Sequence, residues 1–318
     1  MHTLNVYTPL KYTIKYKAKN TYEALVNKAL WQFLIIPENN GTQDLEYSNF
    51  TNSLKVIPEN SVNGYGFNTY RVHPKKEFKS IDFEAEFRLT KTVINPYDQV
   101  PFTDIKVDYE ILDSLKFKTE HEPFLKSTPL TKLPEGENES FSFDLSKSPF
   151  ENLNALNAWV YTNFDFKTDV TTVKTNLKEI LSNKQGVCQD FTHLFCALAR
   201  KNKIPTRYVS GYLHQGSGFL GDSQMHAWVE SFIPGAGWIG FDPTNNILAA
   251  ESHIKVAHGK DYTDCPPLKG IVYTSGSNET SYTVDVTSEK GMFQQQGQQS
   301  QQSGSQQQMQ QQQQGPIN

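Results

Sequence analysis

Cysteine is scarce in this chain: three in 318 residues, at positions 188, 196 and 265. Three thiols without a CxxC pair make neither a disulfide framework nor a zinc site of the usual spacing. No run of 18 or more apolar residues occurs, so no segment reads as a membrane-spanning helix. The opening MHTLNVYTPLKYTIKYK lacks the apolar stretch of a secretory signal. Neither charge sign is in excess: 30 Lys and Arg stand against 34 Asp and Glu, a net charge of −4. That balance gives no electrostatic case for a nucleic-acid or membrane partner. No Asp-rich EF-hand loop is present, and no motif calls for a cofactor. These absences lead us to expect an ordinary globular protein with reduced thiols, placed in a cytoplasm.

The first half of the chain alternates. KYTIKYK, ALWQFLII, FNTYRVH and IDFEAEFRLT carry period-2 apolar spacing between turn clusters such as PENNGT and NPYD, as half-buried strands do. Short strands, turn signals and no helical segment predict an antiparallel β-sandwich over residues 1–112. Residues 113–147, with prolines at 123, 129 and 134 and the run EGENES, read as a connector. A helix is expected from Ser148-Pro149, because serine caps and proline suits the first turn. Leu153, Leu156, Trp159 and Val160 then recur at helical spacing. A second helix starts near Cys188, presents Phe191, Phe195 and Leu198 on one face, and must stop before Pro205. TRYVSGYL, HAWVESFI and WIGFDPT are strand candidates, and residues 254–290 add more, so a second domain with a C-terminal strand extension is expected over 148–290. Residues 291–318 form a Gln-rich tail, with 15 glutamines between 294 and 314. Such a composition cannot bury a core and reads as disordered.

The segment GVCQDFTHL raises the question of function. A cysteine at a helix start sits where free backbone N–H groups and the helix dipole favour a thiolate. Thiol catalysis also needs an imidazole to move the proton and a third group to orient it. His226 opens HAWVESFI and Asp242 closes WIGFDPT, with the turn signal PGAG between the two strands. They should form an antiparallel hairpin. A four-residue loop at 234–237 would set Asp242 opposite Val229, on the wrong face. A five-residue loop at 232–236 would set it opposite His226, so the reading demands an odd loop or a bulge. Cys188, His193 and Cys196 also invite a zinc reading, but offsets of five and eight do not converge on one helix face. His193 and Cys196 are then packing residues, and Arg207 reads as an ordinary surface or packing arginine.

GVCQDFTHLFCALARKNKIPTRYVSGYL, followed by MHAWVESFIPGAGWIGFDPTNN, resembles the core of the bacterial transglutaminase-like superfamily. HIKVAHGKDYTDCPPLKG is similar to that branch's C-terminal extension, and the N-terminal strands to the sandwich region before the core. The resemblance implies an α+β fold, a β-sandwich followed by a papain-like core, with Cys188, His226 and Asp242 as a triad. Asp190, Trp228 and Pro243 match the motif in structural roles. An oxyanion hole is also implied, with the Cys188 backbone N–H as one donor. The second donor in related enzymes is an upstream Trp or Gln side chain, and Trp159 and Gln185 are the residues present here. Cys265 stands where an apolar residue is expected and reads as a buried hydrophobe. The calcium dependence of animal transglutaminases is not transferred, and no metal is implied.

The expected activity is attack of Cys188 on an amide or acyl carbonyl of a peptide or protein, glutamine side chains included. The acyl-enzyme then passes to an amine, which is transglutamination, or to water, which is proteolysis or amidohydrolysis. The motif blocks carry no acidic cluster that would gather lysine ammonium groups, which favours water. The rivals are an inactive scaffold that binds a peptide or partner, and a structural module whose working parts are the sandwich and the tail. The tail itself reads as a solvated extension, or as a tethered supply of carboxamides within reach of the nucleophile.

Overall fold

The first strand, β1 (Leu10–Val26), shows what period-2 spacing does: Tyr12, Ile14, Tyr16 and Ala18 are buried, and Lys11, Lys15, Lys17 and Lys19 between them are exposed. The computed structural model describes residues 9–136, 141–215 and 218–289. Five further strands follow: β2 (Lys28–Phe33), β3 (Gln43–Asn52), β4 (Glu59–Val62), β5 (Asn68–Val72) and β6 (Phe78–Lys91). They divide between two antiparallel sheets whose inner faces meet through aromatic rings. Trp31 and Phe33 of β2 lie 5.3 and 4.6 Å from Phe83 of β6, and Phe50 of β3 lies 4.8 Å from Tyr70 of β5. The expected β-sandwich is present.

Two elements interrupt what had been expected to be helix-free and loose. Helix α1 (Ile105–Asp113) starts inside the first segment, with the Asp104 side chain accepting the Lys106 N–H at 2.9 Å, and α2 (Leu115–Glu120) follows it. Val107 and Ile111 of α1 are exposed while Leu112 is buried, so α1 lacks the broad apolar stripe that announces a helix. The connector is also tied down. Buried Arg200 donates to the carbonyls of Lys126, Thr206 and Lys260 and to the Thr131 hydroxyl.

The second half builds an α+β core. Helix α3 (Pro149–Asn163) opens with a capping box, the Ser148 hydroxyl accepting the Glu151 N–H and the Glu151 carboxylate accepting the Ser148 N–H. A two-residue parallel bridge joins β7 (Asp165–Phe166) to β8 (Gln185–Gly186), with α4 (Leu177–Asn183) between them. The bridge delivers the chain into α5 (Cys188–Lys201). Helix α5 packs against β9 (Thr206–Leu213) and β10 (His226–Ile233), and α3 packs on α5. Those strands belong to a five-stranded antiparallel sheet ordered β12-β11-β10-β9-β13, with β11 (Gly237–Asp242), β12 (Ile247–Leu248) and β13 (His253–Gly259).

The last two strands leave the core. β14 (Leu268–Tyr273) pairs with β2, and β15 (Asn278–Ser288) pairs with β1 along eleven residues, completing the sheets β14-β2-β5-β4 and β15-β1-β6-β3. The expected extension of the second domain is therefore built, from residue 268 on, into the sheets of the first. Strand spacing says that these segments are extended, but not which open edge they complete. The Gln-rich tail at 291–318 lies outside the described residues. Among the described residues no helix is long and apolar enough to cross a membrane.

Candidate active site

Cys188 is the first residue of α5 and is partly exposed, whereas the residues that follow it in the helix are buried from Gln189 to Arg200. The helix start is fixed by Asp190, whose carboxylate accepts the Val187 N–H at 2.9 Å and the Thr171 hydroxyl at 2.7 Å. Asp190 therefore has the structural role expected of it. The two remaining thiols are fully buried. Burial pushes Cys196 up to about 11 and Cys265 well above its ordinary value.

The hairpin register brings His226 to Asp242. Pro234 and Gly235 take the central positions of a turn closed by the Ala236 N–H on the Ile233 carbonyl, with Gly235 at φ +78°, as a type II turn requires. Ile233 then pairs with Gly237 and Val229 with Phe241. The loop is odd as required, but three residues long instead of five. One further step sets Asp242 across from Trp228, two residues from His226 on the same face, a diagonal neighbour. His226 Nε2 lies 2.9 Å from Asp242 Oδ2, with both side chains wholly buried.

Asp242 is held from every side. Its Oδ2 also meets His253 Nε2 at 3.1 Å and accepts Asn245 Nδ2–H at 2.9 Å, while Oδ1 accepts the Thr244 N–H at 2.9 Å. Burial alone would favour the neutral acid. The His226 charge and hydrogen bond, with help from His253, outweigh it and hold the carboxyl well below the usual range. The same balance acts on His226, where burial opposes the imidazolium but Asp242 and the Cys188 thiol raise its pKa. His253 goes the other way, since burial lowers it, so it donates to Asp242 as a neutral imidazole. His226 Nδ1 is buried without a hydrogen-bond partner. A Cβ on Gly221 would sit 2.9 Å from that atom, and Gly221 has φ +82°, so only glycine leaves that edge of the ring clear. His226, Asp242 and His253 place their donor atoms within 4.8 Å of one another, a spacing suited to a divalent ion. Both Nε2 atoms are already spent on the carboxylate, so an ion there would displace the hydrogen bonds that orient His226.

Cys188 and His226 open into a cleft of about 580 Å³. Its walls come from both halves of the chain: Tyr16 and Tyr282 from the sandwich, Tyr208 and Ser210 from β9, and Thr171 and Met225 from loops. Tyr208 is 2 % exposed and lines the cleft together with Cys188. Burial first and the Cys188 charge second raise its pKa well above the ordinary value, so it stays a donor.

Residues 140–243 match the model of the transglutaminase-like superfamily. This segment belongs to that superfamily. Among curated proteins, an uncharacterized protein of Mycobacterium tuberculosis is 38 % identical over 158 residues, covering 46 % of this chain and 50 % of that protein. One from Mycobacterium leprae is 38 % identical over 133 residues, covering 41 % and 47 %. The chain spans about half the length of these relatives. Among solved structures, a candidate cysteine protease of Cytophaga hutchinsonii superposes with a TM-score of 0.71 at 18 % identity, covering 89 % of this chain and 92 % of that one. It shares the fold, sandwich and core together.

Within the transglutaminase-like core, several expectations resolve differently from one another. Trp159 packs against Phe141 and Phe164, Gln185 sits in β8, and neither lines the cleft, so neither is placed to be the second oxyanion donor. His193 accepts the Tyr262 N–H at 3.2 Å and packs beside Tyr208, a structural role apart from Cys188. Arg207 pairs with Glu230 and lies 4.3 Å over the Trp238 ring, outside the cleft. Trp228 is buried between the His226 and His253 rings, at 6.3 and 5.1 Å. His253, Asn245 and Tyr208 are the site residues that sequence reasoning missed. His253 opens β13 just as His226 opens β10, and it stands first in the stretch HIKVAHG.

Proposed function

We propose that this chain is a thiol hydrolase of amide bonds, acting through Cys188, His226 and Asp242. The observation that carries the reading is a partly exposed cysteine at a helix start, in one cleft with an imidazole whose far nitrogen is fixed on a buried carboxylate. The Cys188 sulfur adds to the carbonyl carbon, and the His226 imidazolium gives its proton to the departing nitrogen as the C–N bond breaks. Water then attacks the thioester, His226 takes a proton from it, and the acid leaves as the thiol is restored. The Cys188 N–H supplies one oxyanion donor and the Tyr208 hydroxyl the other. Water is favoured as acceptor because no carboxylate lines the cleft among the described residues, so nothing there gathers an ammonium group. Free thiols at all three cysteines fit a reducing compartment.

A Gln-bearing peptide incubated with the enzyme and a labelled primary amine tests this reading. Hydrolysis or deamidation should dominate, and Cys188→Ala should form neither product. Predominant amine incorporation would make the enzyme a transferase, and product formation by Cys188→Ala would remove the thiol from the mechanism. Tyr208→Phe should lower kcat by about 10²-fold, the usual cost of one oxyanion donor. Alkylation of Cys188 by iodoacetamide forms no oxyanion and should change only a few-fold, a contrast that a merely structural role for Tyr208 would not produce.

A further inference from the structure

Strand β15 is the outer strand of its sheet, paired on one side with β1. In an antiparallel strand, alternate residues turn both N–H and C=O to the same edge. The outward set in β15 is even-numbered. The Val284 N–H reaches the Ser223 carbonyl at 3.3 Å, the Val284 carbonyl accepts Gln215 Nε2–H at 3.1 Å, and the Val286 N–H reaches Gln215 Oε1 at 3.3 Å. Thr280 and Tyr282 are the next even residues. Their outward N–H and C=O groups have no partner among the described residues, and both residues line the cleft that holds Cys188.

An open edge of this kind is a template for another strand. Proteins usually blunt such edges with charge or proline, yet the stretch Thr280 to Thr283 carries neither. The edge is closed from 284 onward by Ser223 and Gln215, so the open part ends beside the nucleophile. The side chains there point the same way. Tyr282 stacks at 6.4 Å on Tyr16 and donates its hydroxyl to Gln224 Oε1 at 3.1 Å, forming a flat aromatic floor. Tyr282 and Cys188 line the same cleft. No Asp, Glu, Lys or Arg lines the cleft among the described residues, so a charged side chain entering it would lose its hydration uncompensated.

We infer that the open edge of β15 at Thr280 and Tyr282 binds substrate: an extended, uncharged polypeptide segment adds there as a strand and is laid across Cys188. The inference rests on the hydrolytic reading for its purpose and makes the substrate a main-chain-recognised peptide, not a small amide. Thr280 to Tyr282 covers about 10 Å of strand at about 3.3 Å per residue, enough for about three residues of the guest.

The test uses full-length Cys188→Ala and an acetylated, amidated, uncharged glutamine octapeptide. Amide hydrogen exchange at Thr280 and Tyr282 should slow at least tenfold at saturating peptide, while Ser281 and Thr283, already facing β1, keep their rates. N-methylating one alternate set of the peptide's backbone amides should weaken binding tenfold or more, and methylating the other set should not. Unchanged exchange at Thr280 and Tyr282 up to millimolar peptide, or equal binding of both methylated forms, overturns the inference. Acylation of wild-type Cys188 by p-nitrophenyl acetate is measured beside it, because that ester needs no strand. If the ester acylates Cys188 and the peptide gives no protection, strand addition falls and the thiol chemistry stands. If the ester fails and protection appears, the hydrolytic reading falls and strand addition stands.

Discussion

Limiting iodoacetamide at pH 7 labels Cys188 at least 10²-fold faster than Cys196 or Cys265. Two effects multiply. Cys188 is partly exposed in the cleft, whereas the other two side chains are fully buried, so reagent reaches them only through local or global opening. Alkylation also needs the thiolate, and a thiol pushed up to about 11 is ionised at about one part in 10⁴ at pH 7. Peptide mass spectrometry after a short pulse reads the ratio, and unfolding in denaturant should bring all three thiols to similar rates. Faster labelling of Cys196 or Cys265 in the folded protein would remove Cys188 as the nucleophile.

Asp242→Asn keeps the fold and lowers turnover by about 10²–10⁴-fold, the range seen when a triad loses its orienting carboxylate. Asparagine fills the same space and still accepts one hydrogen bond, but it has no charge to hold an imidazolium and can present its amide to His226 Nε2. The pH profile carries a separate signature. Asp242 and Cys188 raise the His226 pKa, so the protonated acid that the leaving nitrogen needs persists as pH rises past the ordinary value near 6.5. Without the Asp242 charge, the alkaline limb of kcat should move down towards that value. Stability has its own sign. Asp242 is depressed in the folded state, so its contribution is present above its unfolded pKa near 3.9 and is lost as the pH falls below it. Near-normal turnover and an unmoved alkaline limb in Asp242→Asn would reduce Asp242 to a turn residue.

Much of this arrangement was legible in the sequence because local rules carry it. The Ser148-Pro149 cap, the apolar face of the Cys188 helix and the alternation in KYTIKYK each follow from contacts within a few residues. An odd hairpin loop could be required because a one-residue slip reverses a face. The actual length of that loop could not be read, since Pro234-Gly235 closing a type II turn and a five-residue loop satisfy the same parity. Helix α1 escaped because its exposed Val107 and Ile111 blur the apolar stripe.

Residue types and spacing alone showed which side chains could do chemistry, that Cys188 would start a helix, and that His226 and Asp242 could share a face only across an odd loop or a bulge. Tertiary structure decided what surrounds them. His253 and Asn245 reach Asp242 only because β13 and the turn after β11 fold back on it, and no spacing rule links residue 253 to residue 242. The cleft wall at Tyr16 and Tyr282 exists because β15 returns more than 250 residues along the chain to pair with β1. An extended segment carries no mark of which open edge it will complete. That choice belongs to the whole set of edges competing for partners, and it is the choice that puts the open edge of a strand beside the thiol.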